Sequence, residues 1–118
     1  MITITLPFES RNHSHNNGHW RVKAPLVRMM RQRAFMLAKT SGYQPIRGKH
    51  AISYRFYFPN NIRRDAANYV QSCKPYIDGI VSSGLIEGDH WQVSSIGTIE
   101  CSIDKDNPRI EIVIEALQ

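Results

Sequence analysis

The segment Ala51-Ile52-Ser53-Tyr54-Arg55-Phe56-Tyr57-Phe58 alternates with a period of two, which places Ile52, Tyr54, Phe56 and Phe58 on one face. This pattern is typical of a strand with one buried face, and Pro59 ends it. Apolar residues recur at helical spacing over 66–83, and a further strand is predicted over 93–103. The resulting strand–helix–strand unit favours a right-handed crossover if its two strands are parallel.

The flanking segments extend this unit into a small domain. Residues 2–6 alternate apolar residues with threonine, as an N-terminal strand would, and 110–114 predict a closing strand. The closing strand is expected to form a hairpin with the strand over 93–103. A helix is predicted over 26–39, with Pro25 in its first turn.

The fold class that follows is α/β: a single small domain over residues 1–118, with a mixed four-stranded sheet and two main helices in β-α-β-α-β-β order. Pro75 is expected to kink or restart the second helix, and Gly84 to end it. Gly97 is expected to form a β-bulge. Residues 9–23 are polar, Asn-rich and basic, and they predict a flexible arm or loop.

Composition agrees with one ordinary globular domain. The chain has 118 residues, of which 42% are hydrophobic and 21% charged, so wholesale disorder is not expected. No apolar stretch is long enough for a membrane span, and the N-terminus does not read as a signal peptide, so we expect a cytoplasmic protein without a membrane partner. Cys73 and Cys101 are expected to be reduced and mostly buried.

Charge is distributed unevenly along the chain. Residues 1–64 hold twelve Lys and Arg and one acid, a net charge of +11, whereas 65–118 hold three basic residues and nine acids, a net charge of −6. A basic surface attracts polyanions, so nucleic acid is the natural partner, and the acids of the second half are suited to a divalent cation. The alternative is a globular domain with an uneven surface.

Three acids and a lysine in the second half are candidates for chemistry. Asp65 stands where the second helix begins; taken alone, it fits an ordinary helix N-cap better than a catalytic residue, and the two roles can coexist. Lys74 and Asp78 are four residues apart on one helix face. This spacing fits an exposed ion pair, and it also fits a site in which Lys74 contacts a phosphate. Asp89 lies in the loop before the third strand and could meet Asp65 over one site. Paired carboxylates there would hold Mg²⁺ for phosphodiester hydrolysis.

The arm carries His13, His15 and His19, but their spacing fits no well-defined zinc site, so a polar arm is the better interpretation. Trp20 fits either a base-stacking residue or an anchor for the arm. Met29, Met30 and Met36 suit core or dimer packing. No phosphate-binding glycine loop, dinucleotide fingerprint or serine-nucleophile elbow occurs, which argues against NTPases, dinucleotide enzymes and classical hydrolases.

The run Arg63-Arg64-Asp65-x-x-Asn68, then Lys74, then Asp78-Gly79-x-x-x-x-Gly84-Leu85-Ile86-Glu87-x-Asp89 and Val93, resembles the RusA family of Holliday-junction resolvases. The resemblance implies a small, dimeric, Mg²⁺-dependent endonuclease of prophage origin that cleaves four-way DNA junctions in recombination and repair, with Mn²⁺ as an alternative ion. It is sharpest over 63–93, and the layout of the remaining chain agrees with it.

Carried over by position, the resemblance implies that Asp65 and Asp89 bind the metal and that Lys74 assists at the phosphate. Asn68 matches the asparagine after the acidic motif, and Asp78 matches a helix aspartate near the site. Phosphate contacts are expected from the basic half of the chain, through Arg11, Arg21, Lys23, Arg28, Arg31, Arg63 and Arg64.

Two positions depart from the family pattern. Ala67 stands where a second catalytic aspartate is expected, and Gly88 stands where an acidic pair often begins. Loss of one carboxylate should weaken metal binding and cleavage. Ala67 fits an engineered change, a natural relative that only binds junctions, or a site in which Glu87 supplies the missing ligand. Besides a resolvase impaired by Ala67, the sequence fits a non-catalytic branched-DNA-binding protein and a nuclease that acts on flaps.

Overall fold

The computed structural model describes residues 1–8 and 20–117, with side chains of the first helix described from residue 24 onward. Its elements are β1 (Ile2–Pro7), α1 (Trp20–Thr40), β2 (His50–Phe58), α2 (Ala66–Ser72), α3 (Lys74–Ser82), β3 (Ser94–Ile103) and β4 (Arg109–Ala116). No helix in the described part of the chain is long and apolar enough to cross a membrane.

The four strands form one mixed sheet in the order β1-β4-β2-β3. β4 is antiparallel to both β1 and β2, while β2 and β3 are parallel. The predicted α/β domain with a mixed four-stranded sheet is therefore confirmed, and the segment over 51–103 is a parallel strand–helix–strand unit. The sheet order leaves β3 at one edge and β1 at the other.

The predicted hairpin between the last two strands is wrong. β4 does not pair with β3 but enters the sheet between β1 and β2. The connection crosses the end of β2, where the Asp104 N–H donates to the Phe58 carbonyl at 2.8 Å. Ile110, Ile112 and Ile114 are fully buried between two apolar neighbours, so β4 removes more apolar surface from water at this central position than it would at an edge.

The core lies on one face of the sheet, beneath the helices. Ile52, Tyr54, Phe56 and Phe58 of β2 are buried there, as the alternating pattern predicts. Met30, Ala34 and Ala38 line the buried face of α1, whereas Met29, Met36 and Leu37 are exposed. Of the three helix methionines, Met30 alone is a core residue.

The helices differ from the prediction in two ways. α1 begins at Trp20, so residues 20–23 of the predicted arm are helical, and Pro25 lies inside the helix rather than in its first turn. Pro25 has no N–H for the carbonyl four residues earlier and its ring crowds that carbonyl, yet the helix continues past it. The remainder of the predicted arm, 9–19, lies outside the described residues, and so do Arg11 and the three arm histidines.

The predicted second helix is divided at Cys73 into α2 and α3. Pro75 falls in the first turn of α3, where its missing N–H has no helical partner to lose. The Cys73 N–H bonds to the Val70 carbonyl at 3.1 Å, which closes α2 before α3 restarts the chain in a new direction. Beyond α3, Gly84 has a φ of +86°, a left-handed conformation that suits glycine after a helix, as predicted.

Gly97 lies at the predicted bulge. The pairing of β2 and β3 shifts register between Ile52 and Tyr54 at this point. A β-carbon on Gly97 would collide with the hydroxyl oxygen of Ser53, which would have to turn away from the hydrogen bond that it accepts from the Thr98 N–H. The bulge leaves Ile96 and Ile99, two apolar residues three positions apart, on the same side of the sheet.

Candidate active site

The beginning of α3 and the loop before β3 bring three of the predicted site residues together. Lys74 donates from Nζ to Asp78 Oδ1 at 2.8 Å and also to Asp89 Oδ2. The first bond is the predicted pair one helical turn apart. The second joins residues fifteen positions apart in sequence, and it fixes the loop over 83–93 against the start of α3.

Electrostatics in this cluster stabilise the ammonium. Hydrogen bonds from Lys74 to Asp78 and Asp89 raise the pKa of the lysine above its usual value. About 59% of the Lys74 side chain is exposed, so a ligand can reach the ammonium from solvent. Two partly exposed carboxylates, those of Asp78 and Asp89, surround this one cation.

A cavity of about 260 Å³ lies beside this cluster. It is lined by residues of β2, α2, α3, β3 and the loop before β3, namely Ile52, Tyr54, Val70, Gln71, Lys74, Ile77, Asp89, Ser94, Ser95 and Ile96. Burial raises the pKa of the Tyr54 hydroxyl in this wall, and the nearby Cys73 and Asp89 act in the same direction, so the hydroxyl remains protonated. Sequence reasoning missed Tyr54, Gln71 and the two serines, because none of them belongs to a charged motif.

The face of α2 that borders this cavity includes Ala67. Val70 and Gln71 line the cavity, and they lie three and four residues after Ala67, which puts all three on one side of the helix. Ala67 is exposed. A longer side chain at this position would lie on the same side of α2 as Val70 and Gln71, about one turn closer to Asp65.

Asp65 occupies a different place from Asp89. It caps α2, because its Oδ1 accepts from the Ala67 N–H at 3.1 Å, and it lines a separate cavity with Arg63, Arg64 and Ala66. α2, about 10 Å long, lies between Asp65 at its start and Cys73, after which α3 begins with Lys74. The N-cap interpretation is confirmed, whereas the expected approach of Asp65 to Asp89 is not among the contacts that the structure describes.

Asn68 follows Asp65 in the first turn of α2. Its backbone N–H donates to the Asp65 carbonyl at 3.1 Å, and the residue is half-buried. This backbone bond belongs to the first turn of α2, and the expected role of the Asn68 side chain at the site stays a prediction.

The two arginines before Asp65 differ in their contacts with the rest of the protein. Arg64 donates to the Asn60 carbonyl at 3.0 Å and to its side chain at 2.7 Å, and its guanidinium lies 4.5 Å from the centre of the Phe58 ring. It holds the loop between β2 and α2 in place. Arg63 is exposed, as are Arg28 and Arg31 on α1, so these three are free to meet a polyanion. Arg21 and Lys23 lie in the first turn of α1.

Glu87 and Gly88 shape the loop that carries Asp89. Glu87 Oε1 accepts from the Gly48 N–H at 3.0 Å, and the Ile46 N–H donates to the Leu85 carbonyl, so this loop is tied to the segment before β2. A β-carbon on Gly88 would lie 3.0 Å from the His90 ring. Glu87 therefore anchors the loop through one of its two carboxylate oxygens.

The donors described here do not make up a complete metal site. No group of three or more His, Cys, Asp or Glu residues is placed to hold an ion within residues 1–8 and 20–117. Mg²⁺ often binds to one or two carboxylates and keeps several waters, so Asp89 alone offers a partial site. Comparison with models of protein families finds none that matches the chain, and comparison with curated proteins finds no similar sequence.

Proposed function

We propose that this chain is a structure-specific DNA-binding protein of the junction-resolvase type, whose cleavage of four-way junctions is impaired by Ala67. The observation that supports this most directly is the cluster of Lys74, Asp78 and Asp89 beside a cavity whose wall runs along the helix face of Ala67. The same cluster at the edge of a basic domain fits a phosphodiester in the cavity.

In this proposal separate groups of residues contact the scissile phosphate and the DNA backbone. The Lys74 ammonium offsets negative charge on a bound phosphate. Asp89 and Asp78 hold that ammonium in position by accepting its hydrogen bonds. Arg28, Arg31 and Arg63 contact the DNA backbone, which positions a branch without reading bases. Two copies related by a two-fold axis would present two equivalent sites for paired incisions.

The cofactor of this proposal is Mg²⁺, with Mn²⁺ as an alternative, for which Asp89 offers a carboxylate ligand; Asp65, which caps α2 in a separate cavity, does not share that ion in this arrangement. When bound, such an ion polarises the phosphate and activates water. Ala67 offers no ligand atom, so we expect weak metal binding and weak or absent cleavage alongside strong binding of the junction.

The first experiment compares the native chain with Ala67→Asp and with the matched variant Ala67→Asn. A labelled four-way junction is incubated in Mg²⁺, and binding is measured alongside cleavage. Both variants place a side chain of similar shape in the exposed first turn of α2, where an acidic residue also suits the helix N-terminus. We expect paired symmetric cuts from Ala67→Asp only.

Two other results have clear meanings. If all three chains bind the junction and none cleaves it, the second candidate applies, a non-catalytic protein that binds branched DNA. The role of Asp65 as a helix cap favours that candidate. If no chain prefers the junction to a linear duplex, the proposed substrate is wrong.

A further inference from the structure

The cavity beside Lys74 has an apolar floor and an open rim. Ile52, Tyr54 and Ile77 form the floor, and all three are buried. Ile96 forms one wall at the start of β3, and 63% of it is exposed although its neighbour Ile52 in the sheet is covered. The exposed Lys74 side chain stands at the rim. The cavity therefore presents apolar area that the side chains of the protein leave open to solvent.

A phosphate accounts for the rim of this cavity but not for its floor. Among the described residues that line it, Lys74 is the only cation. A phosphate that moved past the ammonium onto the isoleucines would lose its water without gaining a partner, at a large cost in free energy. The floor therefore suits an apolar group that is joined to the phosphate at the rim.

Two polar side chains of the wall are placed to recognise the edge of such a group. Gln71 of α2 carries an amide that both donates and accepts, and the Ser94 hydroxyl does the same. Within the described part of the chain, neither side chain has a hydrogen-bond partner. A nucleobase combines apolar ring faces with polar edges, and so it matches an apolar floor flanked by free donors and acceptors.

We propose that this cavity receives one unpaired nucleobase of the DNA, while the adjoining phosphate lies against Lys74 at the rim. The inference rests on the proposed function and deepens it, because it names an unstacked nucleotide as the feature that the site recognises. A base inside an intact duplex is stacked and paired, and the energy needed to extract it is smallest where pairing is already interrupted. The cavity would thus favour branched or bulged DNA over a linear duplex without reading a sequence.

Three short duplexes of one sequence test this inference in the presence of EDTA, so that neither metal nor cleavage contributes. One duplex is fully paired, one carries a single unpaired thymine, and one carries an abasic residue at the same bulge. The two bulged duplexes share their backbone charge and flexibility and differ only in the base. The native chain should bind the thymine bulge at least about fivefold more tightly than the abasic bulge, since burial of one base contributes on this scale.

Two variants alter the cavity at exposed positions, and each has a matched control outside the cavity. Gln71→Met keeps the length of the side chain but removes its amide, and Gln44→Met makes the same change at an exposed loop position. Ile96→Ser removes the apolar wall, and Ile103→Ser makes the same change on the same strand, where Ile103 is 55% exposed.

The two cavity variants should lower the preference for the thymine bulge toward equal binding of the two bulged duplexes. Their circular dichroism spectra and their affinity for the abasic bulge should be unchanged, and both control variants should keep the native preference. Equal binding of the two bulged duplexes by the native chain overturns the inference alone, and so does a preference that survives both cavity variants. A native chain that binds neither these duplexes nor a four-way junction overturns the proposed function as well.

Discussion

His50 is a fully buried polar residue at the start of β2. Neither of its ring nitrogens has a hydrogen-bond partner of normal geometry among the described residues, although the Gly48 backbone is close. Burial lowers the pKa of His50, and the Gly48 backbone, Glu87 and Asp89 oppose this shift only in part. The folded protein therefore holds a neutral imidazole directly behind the loop that carries Asp89.

This burial predicts a loss of stability in mild acid. An unfolded histidine takes up a proton near pH 6.5, whereas folded His50 does so only at lower pH, so protons favour the unfolded chain below pH 6.5. The free energy of unfolding should fall by at most about 1.4 kcal/mol per pH unit in this window. Urea unfolding at pH 7.5 and pH 5.0 measures it.

His50→Leu should remove most of this pH dependence, while His90→Gln, at an exposed position, should keep it. Asp104 does not interfere: its bonds to Arg109 lower the pKa of its carboxyl below 3.8, so the stability it contributes is lost only at more acid pH. An equal slope in His50→Leu and the native chain would contradict the assignment.

At the scale of elements, α1 and α3 are in close contact at Gly79. A β-carbon there would collide with the Arg31 carbonyl oxygen and would lie 3.1 Å from the Ala34 methyl group. The carbonyl belongs to the helix backbone and cannot turn away. Gly79 is thus required by the crossing of the two helices, which in turn places Lys74 above the sheet.

Gly79→Ala should therefore destabilise the protein by about 1–3 kcal/mol, although alanine in a free helix is about 1 kcal/mol better than glycine. Thermal and urea unfolding give the difference. Ser82→Ala, at an exposed position near the end of the same helix, should be neutral or slightly stabilising. A Gly79→Ala protein as stable as the native chain would show that the helices separate at low cost.

The elements also show which parts of the structure local sequence can predict. The alternation in β2 and the helix break near Pro75 were predictable because neighbouring residues decide them. The position of β4 was not, because it depends on three isoleucines being buried between two distant strands. The same distinction applies to the site. The contact between Lys74 and Asp78 was predictable from their helical spacing. The bond from Lys74 to Asp89 was not, because it depends on how the chain returns from α3 to the sheet.

For the whole molecule, the uneven charge of the sequence becomes two kinds of surface. Arg55 and Arg109 belong to an ion-pair network with Glu100, Asp104 and Glu111 on the face of the sheet away from the helices. Their charges are locally balanced there. Arg28, Arg31 and Arg63 have no ion pair among the described residues, so the unbalanced positive charge lies with the helices and the loop before α2.

This division predicts how DNA binding depends on salt. Each phosphate that a cation neutralises releases a counterion, so the logarithm of the binding constant falls with the logarithm of salt concentration with a slope of about −0.9 per contact. Arg63→Ala should reduce the magnitude of that slope by about one for a four-way junction. Arg55→Ala removes a cation of the same kind from the same half of the chain, but one already paired with Glu100 and Glu111, so its slope should match the native protein. Titrations of a labelled junction at several salt concentrations measure all three slopes. Equal losses in the two variants would mean that DNA responds to the net charge of the domain, whereas a loss confined to Arg63→Ala would locate the contact at the loop that leads into α2.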